Sequence, residues 1–282
     1  MMKLFRFIRH KFDRLGPGFI TGAADDDPSG IATYSIAGAQ FGYRLSWLSF
    51  FSVPLMISIQ EMCGRIGMVS GMGLAGAIKK YYSKKLLYVT ITLLFVANTI
   101  NIGSNLGIMA ASLQMILGLP FFFWLIIITI FTVSMEIFVT YDKYSRYLKW
   151  MGLTLLVYGL TAFLVKQDWA TIVISTTIPH LELNLAFLMM IVAFLGTTIS
   201  PYLFFWQTSE EVEEAIKEGK IQEFDESPIV LENEIRHMQK DTAVGMFFSQ
   251  LISFFIILTT AATLYANGIY TIETPQEVAS VL

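Results

Sequence analysis

Seven apolar segments recur along this chain of 282 residues, at roughly 17–41, 45–64, 86–117, 119–140, 148–166, 185–208 and 241–266. Each is close to or above the ~20 residues a helix needs to cross a bilayer. Inside hydrocarbon every backbone N–H and C=O must be bonded within the structure, which leaves helices or closed barrels. Runs this long, without period-two alternation, are helices. Hydrophobic residues make up 55% of the chain and charged residues 15%, with a mean hydropathy of +0.60, too apolar for a soluble domain of this size. The expected fold class is an all-α polytopic membrane protein forming a single transmembrane domain over 1–282. The third segment is long enough to project beyond the bilayer. Cys63, the only cysteine, excludes an internal disulfide and a cysteine-based metal cluster.

The distribution of basic residues sets an expected orientation. Four polar regions fall on one side: the basic, faintly amphipathic N-terminal stretch MMKLFRFIRHKFDRLG, the loop from Arg65 to Lys85, the loop YDKYSRYLK, and the stretch from Ser209 to Lys240. They hold 5, 5, 3 and 4 Lys and Arg, and only Arg44 and Lys166 fall on the other side. The positive-inside rule makes the first set cytoplasmic, with the N-terminus inside and lying at the membrane surface. A multi-pass protein of the cell (inner) membrane is expected. The 209–240 stretch is expected to be a solvated cytoplasmic loop, helical in part, with Glu213 and Lys217 at an i,i+4 spacing.

Two of the seven segments are broken by residues that a membrane helix avoids. In the first, GPGFITGAA runs into Asp25-Asp26-Asp27-Pro28-Ser29-Gly30 before IATYSIAGAQFGY resumes; in the sixth, LAFLMMIVAFLGTTI runs into Ser200-Pro201 and YLFFWQ. Proline removes a backbone donor and clashes with the preceding turn, so both helices break there. The freed backbone groups must then face a cavity, an ion or other protein. Four uninterrupted segments separate the two, so the second broken helix crosses in the opposite direction, the pattern of an inverted repeat whose discontinuous helices meet near the midplane. Repeat one then covers about 17–166 and a partial repeat two about 185–266. Each charged residue at bilayer depth costs about 2.5–3.5 kcal/mol on insertion scales, and a cation is the natural partner of three consecutive carboxylates. The plainer role for Asp25 and Asp26 is to cap the second half of the helix or line a watery vestibule.

The stretch GPGFITGAADDDPSGIATYSIAGAQFGY resembles the first helix of the Nramp family of proton-coupled manganese and iron transporters, whose pattern is GPGF, then Asp-Pro-Gly-Asn, then a Gly-Ala-Gln/Ser-x-Gly-Tyr ending. GTTISPYLFFWQ falls where that family has Gly-Ala-Thr-Val-Met-Pro-His in its sixth helix. The resemblance covers essentially the whole chain and looks like a divergent bacterial branch. It implies a LeuT-type inverted-repeat fold with discontinuous helices 1 and 6, truncated after helix 7. It also implies a metal site that includes Asp27 and the backbone carbonyl of Thr197. At two further positions the chain departs from the pattern: Gly30 stands for the family's asparagine and Ser200 for its methionine. Tyr202 replaces the histidine near the family's proton route, and the third helix carries Asn98, Asn101, Ser104 and Asn105 where acidic residues are usual. Metal selectivity and proton coupling are therefore both open.

Losing a soft thioether leaves carboxylate, hydroxyl, carbonyl and water oxygens, which suit a hard ion. Mg²⁺, held by one or two carboxylates with several waters retained, fits such a site; Mn²⁺ is compatible with it, and Mn²⁺ and Fe²⁺ are the family's habit. Asn98, Asn101 and Asn105 share one helical face. They either line the ion's aqueous path or bond between helices beside the close-packing motif Gly103-x-x-x-Gly107. Glu61 and Glu136 are expected to pair with basic residues at the interface. His10, His180 and His237 all fall in expected loops, which argues against a histidine centre. No cofactor beyond the transported ion, and possibly protons, is expected, and no nucleic acid; the lipid bilayer is the other partner.

Other readings are weaker. An amino-acid carrier uses the same broken-helix plan, but the aspartate run repels a substrate carboxylate. An intramembrane aspartyl enzyme needs a second acidic segment, which no apolar span supplies. The implied fold has at least ten core helices, of which three are missing here, so the chain is expected to be a non-transporting fragment, one half of a split transporter with a separately encoded partner, or a self-sufficient transporter.

Overall fold

The computed structural model describes residues 16–222 and 228–270. The basic N-terminal stretch, apart from Gly16, and the tail ETPQEVASVL lie outside them. Among the described residues all regular structure is helical: α1 (Pro17–Asp25), α2 (Pro28–Phe41), α3 (Ser46–Phe51), α4 (Val53–Ser70), α5 (Leu74–Tyr81), α6 (Lys84–Leu117), α7 (Phe121–Phe138), α8 (Tyr141–Gly152), α9 (Leu156–Leu164), α10 (Trp169–Thr177), α11 (Leu185–Thr198), α12 (Pro201–Lys217) and α13 (Glu232–Thr263), with short 3₁₀ turns at Gly42–Leu45, Leu153–Leu155 and Tyr265–Asn267. Among the described residues five stretches are long and apolar enough to cross a membrane: Lys84–Leu117, Phe121–Phe138, Tyr147–Leu164, Leu185–Lys217 and Glu232–Asn267. The first two expected crossings are helical but divided, α1 from α2 at Asp26–Asp27 and α3 from α4 at Ser52. At its 34 residues, α6 is about 51 Å long, longer than the ~30 Å hydrocarbon layer.

The helix ends follow from local chemistry. Ser83 caps α6 by accepting the Leu86 N–H at 3.2 Å, and Asn184 caps α11 through Phe187 N–H at 2.8 Å. Glu234 accepts the Leu231 N–H at 2.9 Å at the start of α13. Gly118, at φ +74°, closes α6 in the left-handed region that glycine tolerates.

Helix α13 is the central post: α1, α2, α4 and α9 all pack on it, while α12 lies along α4 and α11 along α2. The principal core joins Tyr34, Phe41 and Leu48 to Phe187 and Phe194 of α11 and Ile252, Ile256 and Ile257 of α13. Phe41 meets Phe187 edge-on at 5.2 Å between ring centroids, and Tyr34 meets Phe194 at 5.1 Å. Small residues bring α1 and α13 into backbone contact: a Cβ on Gly22 would overlap the backbone of Gly245, and one on Gly245 would overlap Gly18.

Three expectations change. Gly103 and Gly107 have no neighbour within 4 Å of an added Cβ, so that motif makes no close helix contact among the described residues. Helix α12 continues to Lys217, and Glu210 and Glu211 in it are buried rather than solvated, because α12 packs on α4. His237 lies in α13, not in a loop.

Candidate cation site at the paired helix breaks

Both expected breaks are present, and they meet. Helix α1 ends at Asp25 and α2 starts at Pro28; α11 ends at Thr198 and α12 starts at Pro201. In each case proline occupies the first helical position, where its missing N–H removes no intrahelical bond. A methyl on Gly30 would lie 3.1 Å from the Asp25 carbonyl oxygen and 3.5 Å from Thr197 Oγ1, so glycine lets the start of α2 close on both α1 and α11. One turn along, the Tyr34 hydroxyl is 3.2 Å from Thr198 Oγ1.

Asp27 is the N-cap of α2. Its Oδ1 accepts from the Gly30 N–H and the Ser29 hydroxyl, both at 2.7 Å, and its Oδ2 accepts from the amides of Asn101 at 2.9 Å and Asn105 at 2.8 Å. The same asparagines take up Ser29: its N–H donates to Asn105 Oδ1 at 2.9 Å and its hydroxyl lies 2.7 Å from Asn101 Oδ1. Two of the three asparagines predicted to form a polar stripe thus converge on Asp27; Asn98 is half-buried and stands apart from this network. The capping role considered for Asp25 and Asp26 falls to Asp27 instead.

Asp25 and Asp26 are 0% and 5% exposed. Asp25 Oδ2 accepts from the Ser249 hydroxyl at 2.6 Å, whereas Asp25 Oδ1 and both Asp26 carboxylate oxygens have no hydrogen-bond partner. No ion pair involves any of the three aspartates among the described residues. On the opposite break the Ser200 hydroxyl donates back into α11, 2.5 Å from the Thr197 carbonyl and 3.0 Å from that of Gly196. Tyr202 follows in the first turn of α12, its buried hydroxyl facing Ser200, and Tyr34, Tyr158 and Tyr202 all come within electrostatic range of Asp26. The donor atoms on these segments are oxygens of carboxylates, hydroxyls and carbonyls, chemically a hard set; among the described residues no three acidic, histidine or cysteine side chains converge as a metal-holding group.

Sequence reasoning passed over Ser29, Ser249, Tyr34 and Tyr158. Ser249 had a signal: hydroxyls at 249 and 253 inside an apolar helix mark polar contacts between membrane helices. Asp241 was also missed. It accepts the N–H groups of Gly16 at 2.9 Å and Phe19 at 3.2 Å, satisfying the N-terminus of α1. A cavity of about 550 Å³ opens beside it, lined by Gly16, Lys149, Glu211, His237 and Asp241 among others, away from the helix breaks.

Comparison with known proteins covers nearly the whole chain. It is 26% identical to the divalent metal cation transporter MntH of Listeria welshimeri over 277 residues, covering 93% of this chain and 58% of that protein. It is 25% identical to MntH of Caldanaerobacter subterraneus subsp. tengcongensis, over 100% of this chain and 64% of that one. The chain thus spans about three-fifths of the length of these relatives. The crystal structure of the Eremococcus coleocola manganese transporter in complex with an aromatic bis-isothiourea substituted compound superposes with a TM-score of 0.73 at 17% identity, over 98% of this chain and 60% of that one, a likeness of fold. Residues 18–282 match the family model described as natural resistance-associated macrophage protein-like, and the chain belongs to the Nramp family, a family of transporters and not of enzymes.

Proposed function

We propose that this chain serves the movement of divalent metal cations across the cell membrane by alternating access, with the cargo held where the two helix breaks meet. The observation that carries this reading is the closure of Gly30 on Thr197 beside three aspartates, which gathers carboxylate, hydroxyl and carbonyl oxygens at two interrupted helices. In this reading the chain makes seven crossings in a LeuT-type arrangement, with its N-terminus inside. Helices α1–α2 and α11–α12 are the equivalent broken helices of an inverted repeat. Asp27, Gly30, the Thr197 carbonyl and Ser200 build the site with Asp25 and Asp26, while Asn98, Asn101, Asn105 and Tyr202 border the path. The oxygen-only set supports Mg²⁺ as cargo alongside Mn²⁺, the ion named for the Eremococcus coleocola transporter, and the Fe²⁺ that the family resemblance implies.

Uptake of Mn²⁺ and of Mg²⁺ into proteoliposomes holding this chain, with internal pH recorded in parallel, tests this reading. Uptake that Asp27→Ala abolishes supports it, and acidification accompanying that uptake supports proton coupling. Folded protein that takes up neither ion counts against it.

A further inference from the structure

Resting on that reading of transport, we infer that the cavity at the N-terminal end of α1 is a second cation position, where Glu211 holds a hydrated divalent ion. The cavity, of about 550 Å³, lies where α1 begins beside α12 and α13, and Glu211 and Asp241 both line it. Its charges are unevenly matched. Lys217 pairs with Glu214 at 3.1 Å, and Lys220 pairs with Glu218 at 2.7 Å and Glu234 at 2.6 Å. Asp241 accepts the Gly16 and Phe19 N–H groups at the start of α1, with His237 and Lys149 in electrostatic range. Glu211 differs: it is 7% exposed, and its Oε1 is buried with no hydrogen-bond partner. Gln207, one turn earlier on α12, faces it, and the carboxylates of Asp241, Glu210 and Glu214 lie within its electrostatic range.

A carboxylate taken out of water without a counter-charge is strongly unfavourable, and a cation in the cavity offsets both its desolvation and the repulsion from its neighbours. Two carboxylates, Glu211 and Asp241, suit a hard divalent ion that keeps most of its water shell, as Mg²⁺ does when one or two carboxylates hold it. That is fewer ligands than a dehydrated metal centre requires, in keeping with the lack of three converging acidic, histidine or cysteine side chains among the described residues. A column of buried polar groups from four helices joins the cavity to the helix breaks. Thr21 Oγ1 of α1 lies 3.4 Å from Gln207 Oε1, and Gln207 Nε2 donates to Thr242 of α13 at 2.8 Å. Helix α4 closes on them at Gly64, where an added Cβ would lie 3.2 Å from Gln207 Nε2. One turn from Gly64, Gln60 is 1% exposed, and neither its amide nitrogen nor its amide oxygen has a partner. Asp25 stands one turn beyond Thr21 at the end of α1. Polar side chains held unpaired at membrane depth mark ion pathways, so a cation leaving the breaks meets Gln60, then Gln207, then Glu211.

The test measures MnCl₂ binding to the purified full chain by electron paramagnetic resonance of the free ion, with melting curves alongside. Wild type is expected to bind two Mn²⁺ per chain, Asp27→Ala and Glu211→Gln one each, and the double variant none. In the Asp27→Ala background Glu211→Gln should weaken the remaining site by about tenfold or more, on the order of 1.4 kcal/mol, and MgCl₂ should compete for that site. Without added salt Glu211→Gln should melt at or above the wild-type temperature, since a buried charge is gone, and Glu211→Asp, which retains the carboxylate, should restore part of the binding. A wild-type chain with a single site that Asp27→Ala removes overturns the inference and leaves the transport reading standing; so does a second site that Glu211→Gln leaves unchanged. A single site lost in Glu211→Gln and kept in Asp27→Ala upholds the cavity site and overturns the reading of the helix breaks. Folded wild type that binds no Mn²⁺ overturns both.

Discussion

Asn101 and Asn105 deliver their amides to one carboxylate oxygen, Asp27 Oδ2, from positions one turn apart on α6. Hydrogen bonds between membrane helices average about 0.6 kcal/mol and reach about 1.7, so Asn101→Ala and Asn105→Ala should each destabilise the folded protein by about that range, read as a fall in Tm. A second expectation concerns the polar end around Glu182, which hydrogen bonds from His180 and Arg44 hold below the usual glutamate range. A carboxylate depressed in the folded state stabilises it above its unfolded pKa, about 4.3, and loses that contribution as pH falls through the folded value. Wild-type melts should therefore drop more steeply below about pH 4.3 than those of Glu182→Gln; parallel profiles would remove Glu182 from the acid response. At this scale the sequence located the chemistry but not its division. Three aspartates before a proline announce a charged break, yet which one caps α2 depends on the amides of α6 arriving from more than seventy residues away.

At the scale of elements, the closest packing is the crossing of α1 and α13 at Gly18, Gly22 and Gly245. Gly22→Val would drive a side chain into the Gly245 backbone and is expected to cost about 1–3 kcal/mol or more, visible as a lowered Tm or loss of monodisperse protein. The helix breaks were legible because proline and charge are so poorly tolerated in a membrane helix. The short helices α5 and α10 were not, since eight and nine residues give little periodicity to read. Gly103-x-x-x-Gly107 misled for a related reason: small residues permit close approach but do not say which helix approaches. Glu210 and Glu211 looked solvated because a charge-rich run usually is, and only the packing of α12 along α4 buries them.

At the scale of the whole molecule, five stretches satisfy the length and hydropathy of a crossing, and the outer faces of α6 and α7 are largely apolar and exposed, as lipid-facing surface requires. The orientation inferred from the basic loops has a direct check. In a Cys63→Ala background, Glu182→Cys should react with an impermeant thiol reagent on intact cells, and Ser83→Cys only after permeabilisation. The reverse pattern would invert the protein.

The carboxylate of Asp241 ties the N-terminal end of α1 to α13 through two amide hydrogens, and the glycine crossing beside it leaves no room for a lubricating layer of side chains. These two helices are therefore welded rather than hinged. Any movement that parted α1 from α13 would expose three orphan groups at one stroke, so α1 separates at lower cost along its seams with α8 and α12.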